Sequence, residues 1–401
     1  MKSFSSLVEK LGVADYPKEW EVCYEQAQTS DCKFIKKNPL GKISESDFDL
    51  LQLPECGKEA LLNFYQIIEE NEELADLLLI WHQAIFHSNT EGIGKWRIPD
   101  AKLGESVSLF HVIALLSGLE ELRDFYKKRN ISNEVLKDTV FDISIWMQDF
   151  KSKNGYFGLP TMDWITCHFR GQILRLGRFQ FIQKLFEFPI IAYKNNKSGE
   201  IAAFFTNAFD IRKDGQINGT NDITETDGVW QTYYKEDEST VTGNLISHNG
   251  SVSKEITNLD VNDWSIVLKQ NDPIYDVHIP ADGPMDYNEC IKSFKFSLEF
   301  FANHFTDRPG KGFVCTSWLL DPQLALLLPA ESNIVKFLST FHLFPIKSSD
   351  GQMFERVFVN RPENLKDLPK NSSLQRSIAD YVIKGNRMTC AGGFILREVV
   401  E

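Results

Sequence analysis

No apolar run in this 401-residue chain comes near the roughly 18 residues that a membrane-spanning helix needs. The opening segment, Met1 to Leu7, also lacks the apolar core of a secretory signal, so a cytoplasmic protein is expected. Cysteine is sparse and scattered. There are 7, an odd number with no CxxC pair, which argues against a disulfide framework and a structural zinc site. Neither GxGxxG nor a Walker A sequence occurs, which disfavours those two modes of nucleotide binding. Basic charge is short as well: Lys+Arg 43 against Asp+Glu 56 leaves −13, a balance that repels phosphate backbones and anionic lipid. The densest basic stretches, Lys127-Lys128-Arg129 and the Arg170, Arg175, Arg178 set, read as a helix end and one helix face. Neither nucleic acid nor membrane is therefore an expected partner; a small-molecule substrate is.

What remains is a chain rich in core material, 42% hydrophobic with 30 Phe, and too long for one ordinary core, so two domains are expected. Residues 1–155 read as a helical domain. Leu61, Tyr65, Ile68, Ala75 and Leu79 keep one apolar face, Val107 to Phe125 carry another, and Val140, Ile143, Met147 and Phe150 repeat at three and four residues. A Gly/Pro linker, Asn154 to Pro160, precedes a second domain over 160–401. There Ile165, Phe169, Ile173 and Leu176 keep helical spacing, whereas Pro189–Tyr193 and Ile201–Phe205, split by Asn195-Asn196-Lys197-Ser198-Gly199, read as a hairpin. The turn-rich span 210–255 reads as a polar β insertion. Beyond it strands and helices alternate, with strands at 274–279, 313–318, 357–359 and near Phe394, and helices at 286–305 and 374–384. The fold class is α+β.

Chemistry concentrates between Asp276 and Phe305. Period-two alternation puts Asp276 and His278 on one strand face, where the carboxylate can orient an imidazole able to act as general base near neutral pH. A hydrogen-bonded core histidine would show the same pattern. The loop Ala281-Asp282-Gly283-Pro284-Met285 leads from that strand into a helix whose Asp286 and Glu289 stand at N-cap and N3 spacing, a geometry suited to holding a ligand with free amides. Its acidic residues oppose a simple phosphate cradle. On the next strand Cys315 and Ser317 share a face; Cys315 reads as core, and Ser317 as a candidate proton donor. Arg308-Pro309-Gly310-Lys311-Gly312 precedes a strand instead of a helix and reads as a turn. His82 and His87, five apart, are poorly spaced to share one helix face and read as structural, and no metal is expected. A divalent-metal enzyme built on Asp276, His278 and Asp282 is the remotest alternative.

Spaced motifs carry a resemblance over nearly the whole chain. They are Leu176 to Phe181, Asp214 to Asn221, Val241 to Asn244, Asp276 to Met285, Cys315 to Pro322, Leu328 to Ile334 and Ser372 to Arg376. In these the sequence resembles a bacterial family of two-domain acyltransferase-like proteins, which join an N-acyltransferase N-terminal helical domain to a GNAT-like C-terminal domain. The resemblance implies a GNAT-like mixed α/β domain with a β-hairpin insertion. It also implies acyl transfer from an acyl-CoA or related thioester to an amine, with the donor near Ala281 to Met285. The usual Arg/Gln-x-x-Gly-x-Gly/Ala signature is missing, and Ala281 to Asp286 stand in its place. A non-catalytic ligand-binding module on the same scaffold is the alternative.

Overall fold

A computed structural model describes residues 3–29, 43–88, 90–99, 103–159, 162–307 and 309–400. The chain divides into two compact units, Met1–Leu176 with Pro280–Asp282, and Gly177–Ile279 with Gly283–Glu401. No helix among the described residues is long and apolar enough to cross a membrane. Pro160 and Arg308, named above in a linker and a turn, lie outside the described residues.

The first unit is helical, as the periodicity requires, but its helices are shorter than the apolar stripes imply. The stripe from Leu61 to Leu79 spans two helices, Glu55–Glu69 and Glu72–His82. They part at Asn71, whose side chain accepts from the Leu74 amide at 3.0 Å and restarts the helix as its N-cap. The stripe from Val107 to Phe125 likewise divides into Leu109–Leu116 and Leu119–Lys128. Gly118 lies between them under the Phe86 ring, so close that a Cβ would stand 2.1 Å from Phe86 Cζ. Asp163–Phe169 is a helix, but Ile173 and Leu176 do not continue it; Ile173–Leu176 is a strand. The expected helix face of Arg170, Arg175 and Arg178 therefore does not exist, because the three residues fall on a helix end, a strand and a turn.

A π turn, Gln83–His87, follows the Glu72–His82 helix and is closed by the Ser88 amide donating to the Gln83 carbonyl at 2.9 Å. Its ladder skips five residues instead of four, so residues five apart stack over one another. His82 and His87 meet for that reason, correcting the spacing argument, which assumed an unbroken α-helix. Beneath them Trp81 packs edge-on against Trp96 and Phe110, with ring centroids 5.4 and 5.7 Å apart.

The second unit has two sheets. One runs Phe179–Leu185, Pro273–His278, Gly312–Ser317, Ala391–Leu396, His342–Pro345; all neighbours are antiparallel except the central Pro273–His278 and Gly312–Ser317 pair. The helix Tyr287–His304 makes the crossover between those parallel strands. Its apolar residues Phe294 and Phe301 pack on the Tyr275 and Phe313 side of the sheet, with Tyr275 and Phe301 stacked at 4.3 Å. The other sheet runs Trp264–Lys269, Ile190–Asn195, Ile201–Phe205, Thr240–Ile246, Tyr234–Glu236, with Val252–Asp260 also paired to Thr240–Ile246. The Ile190–Asn195 and Ile201–Phe205 hairpin forms with Ala192 opposite Ala203, as its alternation and Asn/Gly turn predict. A core of Ile190, Ala203, Phe205 and Ile246 from this sheet with Ile274, Val314 and Phe394 from the first fills the space between them.

The expected strand at 357–359 is instead the end of a helix, Gly351–Phe358. Met353, Phe354 and Phe358 are buried at helical spacing, and Val359 leaves the helix at φ +72. By contrast the Ser373–Ile383 helix keeps its expected cap: Ser372 Oγ accepts from the Gln375 amide at 3.1 Å.

Candidate active site

Six residues, Pro273–His278, form the strand that holds the candidate base, with Asp276 opposite Ile182 and His278 opposite Gln180 on the antiparallel neighbour. Asp276 and His278 share a face, as alternation requires. His278 Nε2 stands 3.2 Å from Asp276 Oδ2, and Lys184 Nζ reaches the same oxygen at 2.9 Å. Burial alone would raise the Asp276 pKa; the hydrogen bond and charge of His278, with Lys184, outweigh it and hold the carboxyl below its ordinary value. Asp276 is thus a buried anion beside His278 and Lys184, while the His278 side chain is about a third exposed, 32%.

Two residues of this cluster escaped the sequence argument. Lys184 and Gln180 alternate with Ile182 on the strand beside Pro273–His278, so they face the same way as Asp276 and His278. Gln180 is buried, and its Nε2 has no hydrogen-bond partner among the described residues. The alternation Gln180, Ile182, Lys184 was legible; the register that sets it against Asp276 was not.

The central parallel ladder pairs Tyr275 with Phe313 and Asp276 with Val314. Both strands continue beyond those pairs, to His278 and to Ser317, which are registered with Gln180 and Ala391 on the outer neighbours and no longer with each other's strand. Ser317 lies three residues past Val314, which puts it on the face opposite Asp276 and His278, so the structure does not bring it against the imidazole. Its Oγ accepts from the Leu319 amide at 3.1 Å, starting the turn Trp318–Leu320, and its own proton remains available to donate. Cys315 is buried, and burial with the nearby Asp276 charge drives its thiol pKa far up, as a core residue and not a nucleophile.

The loop divides between the units, Ala281 and Asp282 belonging to the first and Gly283, Pro284 and Met285 to the second. Within the first unit Asp282 Oδ2 lies 2.7 Å from Arg175. Within the second, the Arg178 guanidinium donates to the Gly283 and Pro284 carbonyls at 2.8 and 2.9 Å and lies 3.8 Å from Met285 Sδ. Asp286 is the N-cap of Tyr287–His304 and accepts from the Asn288 and Glu289 amides at 2.9 and 3.0 Å. The loop's acidic side chains are therefore engaged within the protein. The glycine-lysine turn before Gly312 is engaged too: Lys311 pairs with Asp272 at 2.8 Å, and the Gly310 amide donates to the Tyr275 hydroxyl at 2.9 Å. Two clefts of the second unit, about 720 and 560 Å³, are lined by neither Asp276 nor His278.

Solved structures of similar fold include an acyltransferase in complex with decanoyl-CoA and teicoplanin, at TM-score 0.64 and 20% identity, with 98% of each chain covered. An acyltransferase in complex with CoA and 10C-teicoplanin gives TM-score 0.63, again at 20% identity and 98% coverage of each chain. No curated relative matches the chain. Residues 46–171 match the N-acyltransferase N-terminal domain. Residues 173–395, more than half of the sequence, match the GNAT-like C-terminal domain, and the chain belongs to that family.

Proposed function

We propose that this protein moves an acyl group from an acyl-CoA type thioester to an amine-bearing small molecule. The observation that carries the reading is the His278 to Asp276 contact at 3.2 Å, on the strand that leads into the loop and crossover helix of a GNAT-like domain. The similarly folded acyltransferases bind acyl-CoA and teicoplanin, which supports the donor class. The imidazole of His278, 3.2 Å from the Asp276 carboxylate, takes a proton from the acceptor amine. The amine nitrogen attacks the thioester carbonyl, and the tetrahedral intermediate expels the CoA thiolate. The imidazolium then gives that proton to the departing thiolate, and Ser317, on the opposite face of the sheet, takes no part in these steps. The loop residues of the same unit, Gly283 to Met285, hold the donor. Asp276 holds the imidazole in one tautomer, and Lys184 keeps Asp276 ionised. A general base in this position contributes about 10²–10⁴-fold.

Thermal unfolding with a series of acyl-CoAs, followed by thiol release on adding amine acceptors, tests the reading. A donor at about 100 times its Kd stabilises by about 2.7 kcal/mol. A melting temperature unmoved by acyl-CoAs of every length would overturn the donor assignment, and binding without thiol release would leave a ligand-binding module.

A further inference from the structure

The π turn of the helical unit assembles three metal-ligand side chains that the acyl-transfer chemistry does not use. We propose that His82, His87 and Glu121 form a binding site for one zinc ion. His87 Nε2 lies 3.3 Å from His82 Nε2 and 3.3 Å from Glu121 Oε1, and His82 Nε2 lies 3.6 Å from the same oxygen. Zinc–nitrogen bonds of about 2.0–2.1 Å at tetrahedral angles put donor atoms roughly 3.3–3.4 Å apart, so the triangle has the dimensions of one tetrahedral face. An octahedral ion with bonds of about 2.1 Å would draw its donors in to roughly 3.0 Å. The geometry favours zinc with a fourth position left for water.

The tautomer of His82 is set for this role. Ser117 Oγ donates its one proton to the Ala114 carbonyl at 2.6 Å, so at 2.9 Å it accepts from His82 Nδ1–H. The lone pair of His82 is thereby placed on Nε2, inside the triangle. A hydrogen-bond acceptor that fixes the other ring nitrogen in this way accompanies most histidine metal ligands. His82 is buried, whereas the side chains of His87 and Glu121 are 31% and 47% exposed, which leaves an ion a path from solvent. A bound ion would tie the π turn to the Leu119–Lys128 helix.

The full chain, dialysed against chelator, is titrated with Zn²⁺ by calorimetry and with Co²⁺ by absorption. One ion per chain is expected, with the intense d–d bands of tetrahedral Co²⁺. His87→Gln and Glu121→Gln, at partly exposed positions, should each weaken binding at least tenfold while keeping the circular dichroism of the wild type. Ser117→Ala should weaken it by about 10–100-fold at unchanged stoichiometry, as expected of a positioning residue. Absence of stoichiometric binding by the wild type, or equal affinity in both ligand variants, would overturn the site and leave a proton-held His–His–Glu cluster.

Discussion

Replacing His278 by alanine should separate catalysis from folding. The imidazole sits at a strand end with 32% of its side chain exposed, so its loss opens no cavity in the core. Asp276, the group that would suffer, keeps Lys184 at 2.9 Å and is not left as an unpaired buried charge. Discounted for exposure, the lost His278 contact costs about 1 kcal/mol, or roughly 2–4 °C of melting temperature in a unit of this size. Removing the base should raise the barrier by about 3–5 kcal/mol, the equivalent of 10²–10⁴ in kcat/KM. Steady-state CoA release at saturating donor, run beside thermal unfolding of both proteins, measures the two effects separately. Asp276 supplies an internal check. Its lowered folded-state pKa gives stability that is present above its unfolded pKa of 3.8 and is lost as pH falls through the lower folded value. His278→Ala removes part of that depression, so the acid-unfolding midpoint should move up. A variant whose kcat/KM stays within threefold of the wild type would remove His278 from the mechanism.

Three other perturbations test the second unit. Gly312→Ala would place a Cβ 2.0 Å from the Ile395 carbonyl oxygen, a backbone atom that cannot swing aside. A loss of about 1–3 kcal/mol in urea unfolding is expected, and an unaffected midpoint would refute the register between those strands. Asp321, pushed up to about 6 by burial against the opposing pull of the Thr389 and Gln323 amides, contributes stability that is full below pH 3.8 and lost as pH rises through 6. The stability margin of wild type over Asp321→Asn should therefore shrink by about 3 kcal/mol between pH 4 and 7, and a constant margin would contradict it. His342 has the opposite sign: burial lowers it to about 4, so its stability is full above pH 6.5 and lost as pH falls through 4. The margin over His342→Gln should shrink by about 3 kcal/mol on acidification, measured by the same denaturant series.

The elements read correctly from sequence are those in which local signals suffice. Asp286 and Glu289 with a three-four apolar repeat specify the Tyr287–His304 helix without reference to anything else, and Ser372 with Gln375 does the same for Ser373–Ile383. The misread elements are those decided by distant packing. Val357-Phe358-Val359 is β-prone in composition, yet Met353 and Phe354 are buried one turn earlier and carry the segment into a helix. His82 and His87 seem badly spaced only if the helix is α throughout, and the switch to a π turn carries no composition signature. Lys184 belongs to the candidate site through strand register, a quantity that alternation along one strand cannot supply.

Charge in the loop poses the same problem at the level of chemistry. By sequence Asp282, Asp286 and Glu289 crowd negative charge at a helix N-terminus, where an anionic donor would be repelled. All three are engaged locally, Glu289 by Lys292 at 2.7 Å and the other two by partners that spacing does not reveal. Arg175 takes Asp282 at 2.7 Å, and Asp286 uses its oxygen on the first free amides of the helix. Arg178 adds a cation whose donors bind the Gly283 and Pro284 carbonyls, turning those acceptors away from any ligand. Within the second unit Arg178 thus supplies a cation beside Gly283 to Met285, which answers part of the electrostatic objection. Donor binding at Gly283 to Met285 should then depend on Arg178. Replacing Arg178 by methionine frees two carbonyls and removes one charge, so acyl-CoA affinity should fall by more than the about tenfold expected from one exposed charge alone. An affinity unchanged in that variant would place the donor away from this loop.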